Sequence, residues 1–175
     1  MEKHHIDVMI DEAAVDNRIK ELGKQISRDY AGREVYLIGI LKGSVYFTCE
    51  LAKRITVPVI MDFMQCSSYG AATKSSGVVK LSKDLDMAIT DRDVIIIEDI
   101  IDSGRTLSHL KDLLSQRNPA SLKICTLLDK PSRRVVDVDV DYTGFQIEDK
   151  FVIGYGLDYD QLYRNLPYIG VVEFD

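Results

Sequence analysis

Residues Val94 to Leu107 read VIIIEDIIDSGRTL: an apolar run delivers two adjacent acids, a third acid follows, and Ser-Gly-Arg-Thr opens a helix. A helix start offers backbone N–H groups without partners and the positive end of the helix dipole, so it suits a phosphate. The hydroxyls of Ser103 and Thr106 add donors there, and Gly104 lets the backbone approach closely. Glu98 and Asp99 are poor phosphate ligands. Carboxylates suit sugar hydroxyls, or the water around a divalent cation. Asp102 is a third carboxylate, free to act as a base. An ordinary strand followed by an N-capped helix would explain the caps but not three acids ahead of Ser-Gly-x-Thr.

The four consecutive β-branched residues Val94 to Ile97 suit a central parallel strand buried on both faces, here Asp93 to Glu98. After it, Leu107, Leu110 and Leu114 mark one face of a helix from about Thr106 to Gln116, which ends before Asn118-Pro119. Ser121 to Leu128 forms the next strand. Upstream, Val15, Ile19, Leu22, Ile26 and Tyr30 recur at helical spacing, so a helix opens near Asp11 and stops at Gly32. Glu34 to Ile40 is a strand, Leu41-Lys42-Gly43-Ser44 a turn, and a second helix runs through Arg54. Val57 to Phe63 reads as a strand. Ser67 to Gly77, SSYGAATKSSG, has the small, polar, glycine-containing composition of a mobile loop. The remainder, with YTGFQI, KFVIGYG and IGVVEF separated by Gly, Asp and Tyr, reads as shorter strands and a cap over the sheet. This alternation predicts an α/β fold with a mostly parallel, doubly wound sheet flanked by helices, whose ligands bind beyond the carboxyl ends of the strands.

At 175 residues, 46% hydrophobic and 29% charged, the chain has ordinary globular composition for one domain. A net charge of −6 argues against coating nucleic acid. The charged N-terminus, MEKHHIDVMIDE, has no apolar run of signal-peptide or membrane-helix length, so a cytoplasmic location and no membrane partner are expected. Cys49, Cys66 and Cys125 are odd in number and widely spaced, so reduced thiols are expected rather than a disulfide framework or zinc site. His4, His5 and His109 are too few and scattered for a metal cluster.

The Val94 to Leu107 stretch resembles the phosphoribosyl pyrophosphate signature of the type I phosphoribosyltransferases. Four further segments narrow the resemblance to the hypoxanthine-guanine phosphoribosyltransferases, over most of the chain. Leu41-Lys42-Gly43 is similar to the family's pyrophosphate loop, which implies a cis Leu41–Lys42 peptide. Ser68-Tyr69 resembles its mobile Ser-Tyr loop, which closes over the reacting centre. Lys130 matches the lysine that donates to the oxygen at purine C6, and Asp149 to Tyr159 the purine- and metal-binding segment. There the resemblance implies Phe151 stacking on the base, Val152 offering backbone groups and Asp158 serving at a magnesium site with Glu98 and Asp99. Arg164 matches an arginine that reaches the pyrophosphate, and Arg105 a phosphate-loop position that varies, where it contacts phosphate or faces solvent. Taken alone, Phe151 reads as core, and Lys130, Asp158 and Arg164 as solvated charges.

The resemblance implies one phosphoribosyltransferase domain over residues 1–175, with a hood built from the N-terminal segment and the C-terminal region. It further implies a Mg²⁺-dependent purine-salvage enzyme joining hypoxanthine, and guanine too, to phosphoribosyl pyrophosphate, as a homodimer or homotetramer. Its catalytic residues would be Asp102 and Lys130, with Leu41, Lys42, Gly43, Glu98, Asp99, Asp102, Ser103, Gly104, Arg105, Thr106 and Arg164 on the phosphate side. Two alternatives are a phosphoribosyltransferase for another base and a regulatory relative that binds nucleic acid. Lys130 and the Phe151 segment weigh against the first, and the acidic total against the second.

Overall fold

The computed structural model describes residues 3–68 and 79–174. Its centre is a six-stranded sheet built from β2 (Val35–Leu41), β3 (Val59–Ser68), β4 (Val79–Lys83), β5 (Asp93–Ile101), β6 (Ser121–Asp129) and β7 (Tyr142–Gln146). They lie in the order β4-β3-β2-β5-β6-β7, parallel except for β4, which runs antiparallel to β3. The expected doubly wound α/β sheet is thus observed. β5 is central because only a strand flanked on both sides and covered on both faces can bury Val94, Ile95, Ile96 and Ile97, all 0% exposed.

Alternation along the strands sorts the core into two layers. Leu37, Ile95, Ile97, Cys125 and Leu127 face helices α1 (Glu12–Asp29) and α2 (Val45–Arg54), with Val15, Ile19, Leu22 and Leu51 packed on them. Tyr36, Ile38, Val94, Ile96 and Ile124 face the opposite layer, where α3 (Arg105–Ser115) contributes Leu107, Leu110 and Leu114. Helix α1 starts where expected because the Asp11 carboxylate accepts from the Ala14 amide at 2.8 Å, replacing a missing helical bond.

Two differences from the sequence expectation concern strands. Ser67 and Ser68 do not begin a loop: β3 continues to Ser68, and β4 pairs with it. Their polar composition misleads because the partner of this part of β3 is itself an edge strand, so neither needs to be apolar. Tyr69 and the rest of the expected loop lie outside the described residues. The second difference is β1 (His4–Ile10), which pairs antiparallel with β9 (Ile169–Phe174) in a small sheet of order β1-β9-β8, β8 being Val152–Ile153. His4 is part of it: its ring meets Tyr159 and Tyr163 edge-on, at 5.4 and 5.8 Å, and it shares a 2.9 Å hydrogen bond with the Tyr163 hydroxyl.

Because α3 is held to the sheet by three leucines, Leu110→Ala should cost about 2 to 5 kcal/mol, the usual range for emptying a fully buried leucine site. Urea unfolding of the purified variant checks this, and a loss under about 1 kcal/mol would show that α3 is not anchored there.

Candidate active site

β5 carries Glu98 and Asp99 near its carboxyl end and stops at Ile101, so the chain turns through Asp102, Ser103 and Gly104 into α3. Gly104 has φ of +82°, and a Cβ there would stand 2.6 Å from the Val136 carbonyl oxygen. Both conformation and space therefore demand glycine. The N-cap residue of α3, Gly104, has no side chain to cap it, the Arg105 amide makes only a long 3.4 Å bond to Ser103 Oγ, and the first turn holds no acid, which leaves its positive end available to an anion. The resulting cradle, about 170 Å³, is lined by Glu98, Asp99, Asp102, Ser103, Gly104 and Thr106 among others. Arg105 is exposed and does not line it.

Glu98 is only 8% exposed, whereas Asp99 is half-buried. Burial, reinforced by the neighbouring Asp99 charge, pushes the Glu98 carboxyl well above its ordinary value. Asp99 is also raised by burial, against the opposing pull of its hydrogen bonds with the Glu98 side chain and the Ile100 amide. Beside this pair lies the turn after β2. The Leu41–Lys42 peptide is cis, as expected. A Cβ on Gly43 would lie 1.7 Å from the Asp99 Oδ2, so the carboxylate occupies the volume that any other residue would fill.

A second cavity of about 390 Å³ adjoins the cradle and shares Ile100 and Asp102 with it; its lining includes Lys130, Arg133, Asp149, Phe151, Val152 and Asp158. Lys130 is 8% exposed, and its amide donates to the Ile101 carbonyl at 3.0 Å. Four charged side chains alternate in sign across the wall. Arg133 reaches Asp102 at 3.3 Å and Asp149 at 3.3 Å, and Asp149 lies 3.7 Å from the Lys130 ammonium. Phe151 is 48% exposed and meets the Tyr159 ring edge-on at 5.7 Å, so it is a cavity wall rather than core. Val152 is held in β8 opposite Val171.

Arg164 and Lys42 converge on the turn after β8. Arg164 donates to the Gly156 carbonyl at 2.7 Å and pairs with Asp158 at 3.0 Å, while Lys42 Nζ donates to Gln161 Oε1 at 3.3 Å. The predicted residues therefore fall into three adjoining groups: the cradle, the cavity around Lys130, and the cationic corner at Lys42 and Arg164. Tyr69 lies outside the described residues, and Ser68 closes β3. Arg133, Asp149 and Gln161 were not singled out as individual site residues. Arg133 and Gln161 are solvent-facing types in segments without spacing that marks them, and only the fold brings them in. Among the described residues no three His, Cys, Asp or Glu side chains gather into a group that could hold an ion alone. Glu98, Asp99 and Asp158 consequently form no protein-only cage. The donor chemistry of Glu98 and Asp99, oxygen ligands at the mouth of the cradle, suits a hard cation such as Mg²⁺, which takes one or two carboxylates together with waters and substrate phosphates.

A parallel sheet whose central strand ends in an acid pair and an uncapped phosphate cradle, beside a lysine-bearing cavity, has the architecture of a phosphoribosyltransferase. Residues 10–160 match the model of the phosphoribosyl transferase domain. The chain is 54% identical over 172 residues to the hypoxanthine phosphoribosyltransferase of Salmonella typhimurium, covering 97% of each chain. It is 49% identical to the hypoxanthine-guanine phosphoribosyltransferase of Streptococcus thermophilus, covering 99% of this chain and 96% of that one. A crystal structure of a hypoxanthine-guanine phosphoribosyltransferase from Bacillus anthracis, with HEPES in its active site, superposes with a TM-score of 0.92 at 48% identity over 99% of this chain and 100% of that one. The chain belongs to the hypoxanthine-guanine phosphoribosyltransferase family.

The buried acid sets a pH dependence. In the unfolded chain Glu98 titrates near its ordinary 4.5, whereas in the folded protein it holds its proton to higher pH. Its contribution to stability is complete below the unfolded value and is lost as pH rises through the folded one. The urea midpoint of the metal-free protein should therefore fall over that window, and Glu98→Gln should flatten the fall. Equal slopes in variant and wild type would remove Glu98 as the cause.

Proposed function

We propose that this protein transfers the 5-phosphoribosyl group of phosphoribosyl pyrophosphate to hypoxanthine, and to guanine, yielding IMP or GMP and pyrophosphate in purine salvage. The observation that carries the reading is the position of Asp102, which borders both the phosphate cradle and the cavity holding Lys130. A group that must touch the base while the sugar phosphate sits beside it belongs at that junction.

In this mechanism the 5′-phosphate takes the amides and hydroxyls of Ser103, Gly104 and Thr106, with Arg105 outside the cradle wall. Glu98 and Asp99 hold the ribose hydroxyls. The purine packs against Phe151, with Val152 supplying backbone groups at its edge. A ring nitrogen of the base attacks C1 of the ribose as the bond to the pyrophosphate oxygen breaks, through a transition state with oxocarbenium character. Asp102 accepts the proton released at N7, and the Lys130 ammonium donates to the C6 oxygen, where adenine presents an amino group that cannot accept. Leu41, Lys42, Gly43 and Arg164 face the departing pyrophosphate, whose charge a planar guanidinium fork suits.

Mg²⁺, when bound, would neutralise the diphosphate, and Glu98, Asp99 and Asp158 are the carboxylates able to hold it or its waters. The small sheet of β1, β8 and β9 would be the hood of a single domain. Assembly as a homodimer or homotetramer and a cytoplasmic location complete the proposal. No helix among the described residues is long and apolar enough to cross a membrane.

Pyrophosphate release with hypoxanthine, guanine, xanthine, adenine and uracil tests the substrate class; activity on adenine or uracil above that on hypoxanthine would overturn it. Asp102→Asn should slow turnover by about a hundredfold or more while keeping the fold, the scale of losing a general base. Near-wild-type turnover would remove Asp102 from the mechanism. Lys130→Ala should weaken use of hypoxanthine by roughly 1.5 to 3 kcal/mol, the range for a charged hydrogen bond, and leave phosphoribosyl pyrophosphate binding nearly unchanged. A loss mainly in phosphoribosyl pyrophosphate affinity would refute the base assignment.

A further inference from the structure

We infer that Gln161 is a positioning residue that holds Lys42 and Arg164 together on the pyrophosphate side of the site through one amide oxygen. The inference rests on the proposal that those two cations face the leaving pyrophosphate. Gln161 Oε1 accepts from Lys42 Nζ at 3.3 Å and from Arg164 Nη2 at 3.3 Å. Lysine and arginine are donors only, so the oxygen of this amide must face them both. One acceptor shared by two cations fixes their separation and joins the loop after β2 to the turn after β8, 119 residues away in sequence from Lys42. Gln161 is also neutral. It orients the cations without cancelling charge that an incoming polyanion needs.

The backbone gives an independent reason to look for a role here. Tyr159 and Leu162 exchange hydrogen bonds of 3.1 and 3.0 Å, closing a two-residue hairpin turn over Asp160 and Gln161. Both central residues are left-handed, with φ of +51° and +66°. Turns of that kind favour glycine or asparagine, above all Asn-Gly, because a bulky side chain at positive φ is strained. Gln161 therefore occupies a position where glycine would be easier for the backbone. The turn is already fastened without the Gln161 side chain, since the Gln161 amide donates to Asp158 Oδ2 at 2.9 Å. What glycine would remove is the acceptor between Lys42 and Arg164. A strained residue retained against an easier one points to a duty of its side chain.

The test separates backbone from side chain. Gln161→Gly relieves the strain and deletes the acceptor, while Gln161→Met keeps the length and the backbone cost and deletes only the acceptor. Steady-state kinetics should show KM for phosphoribosyl pyrophosphate raised roughly three- to tenfold in both variants, the scale of the net contribution of one ordinary hydrogen bond, since Gln161 acts on the substrate only through the two cations. KM for hypoxanthine should stay within about twofold. Gln161→Glu keeps an oxygen at the same reach but adds the negative charge that the neutral amide avoids, so it should raise KM for phosphoribosyl pyrophosphate at least as much. Thermal unfolding should place Gln161→Gly at or above wild type, since the substitution removes strain. A wild-type KM for phosphoribosyl pyrophosphate in both variants would overturn the inference, as would a loss shared equally by the two substrates. Arg164→Ala is the control on the underlying assignment. If it leaves phosphoribosyl pyrophosphate use unchanged, the cationic corner is not a pyrophosphate site and the proposal for Gln161 falls with it.

Discussion

Two carboxylates at the end of a buried strand are the constraint on which the rest of the site depends. Glu98 and Asp99 belong to β5 together with four fully buried β-branched residues, so their backbone cannot withdraw toward solvent without dismantling the sheet. Side by side and desolvated, both are pushed toward their protonated forms. The fold accommodates this by what it places opposite. Gly43 leaves the volume that the Asp99 carboxylate fills, the Asp99 amide donates to Glu98 Oε1 at 3.2 Å, and the Ile100 amide donates to Asp99 Oδ1 at 2.7 Å. An acid pair poised this way favours hydroxyl donors and cation-bound water. It cannot be relieved by a phosphate, and the donors that suit an anion lie one turn further on, at the start of α3.

Beyond that pair, the site is balanced internally. Asp102 is matched by Arg133, Asp149 by Arg133 and Lys130, and Asp158 by Arg164. Most of these groups are partly exposed, so each pair contributes little to stability by itself. Their value is in arrangement: every cation assigned to substrate already has a partner that fixes its direction. A polyanionic substrate then exchanges one partner for another instead of ordering free side chains, which reduces the entropic cost of binding. An overall charge of −6 makes this local pairing necessary, because long-range attraction of an anion by the whole molecule is not available.

Much of this was legible in the residues. The β-branched run, the leucines of α3 and the Asp11 cap each announce a local physical requirement, and the structure satisfies them within a residue or two. Residues such as Glu98, Asp99 and Gly104 were legible because three acids after an apolar run, ahead of Ser-Gly-x-Thr at a helix start, have few bland explanations. What stayed hidden shares one property, dependence on partners distant in sequence. β1 is a half-exposed strand whose strand partner is β9, 159 residues or more away along the whole of its register. Ser67 and Ser68 look like loop until β4 is known to pair with them. Arg133 is one arginine in a polar stretch, and nothing local distinguishes it from Arg134, which is instead tied to Asp129. Phe151 shows the opposite case: its hydrophobicity suggests core, and only its exposure beside Lys130 marks it as a wall of the cavity.

The turn after β8 concentrates the remaining tension. Tyr155, Asp160, Gln161 and Tyr163 all have positive φ within nine residues. Left-handed residues bend the chain tightly, and tight bending is what lets so short a segment present Asp158, Gln161 and Arg164 toward the loop after β2. Longer, relaxed turns would reach the same place with more freedom. Under the proposed function freedom is the quantity this corner must lack, because a leaving group is stabilised only by charges already in position when the bond breaks. The strain in the turn and the burial of the acid pair are thus the same solution applied at two ends of the site: each accepts a local cost so that a charged group does not move.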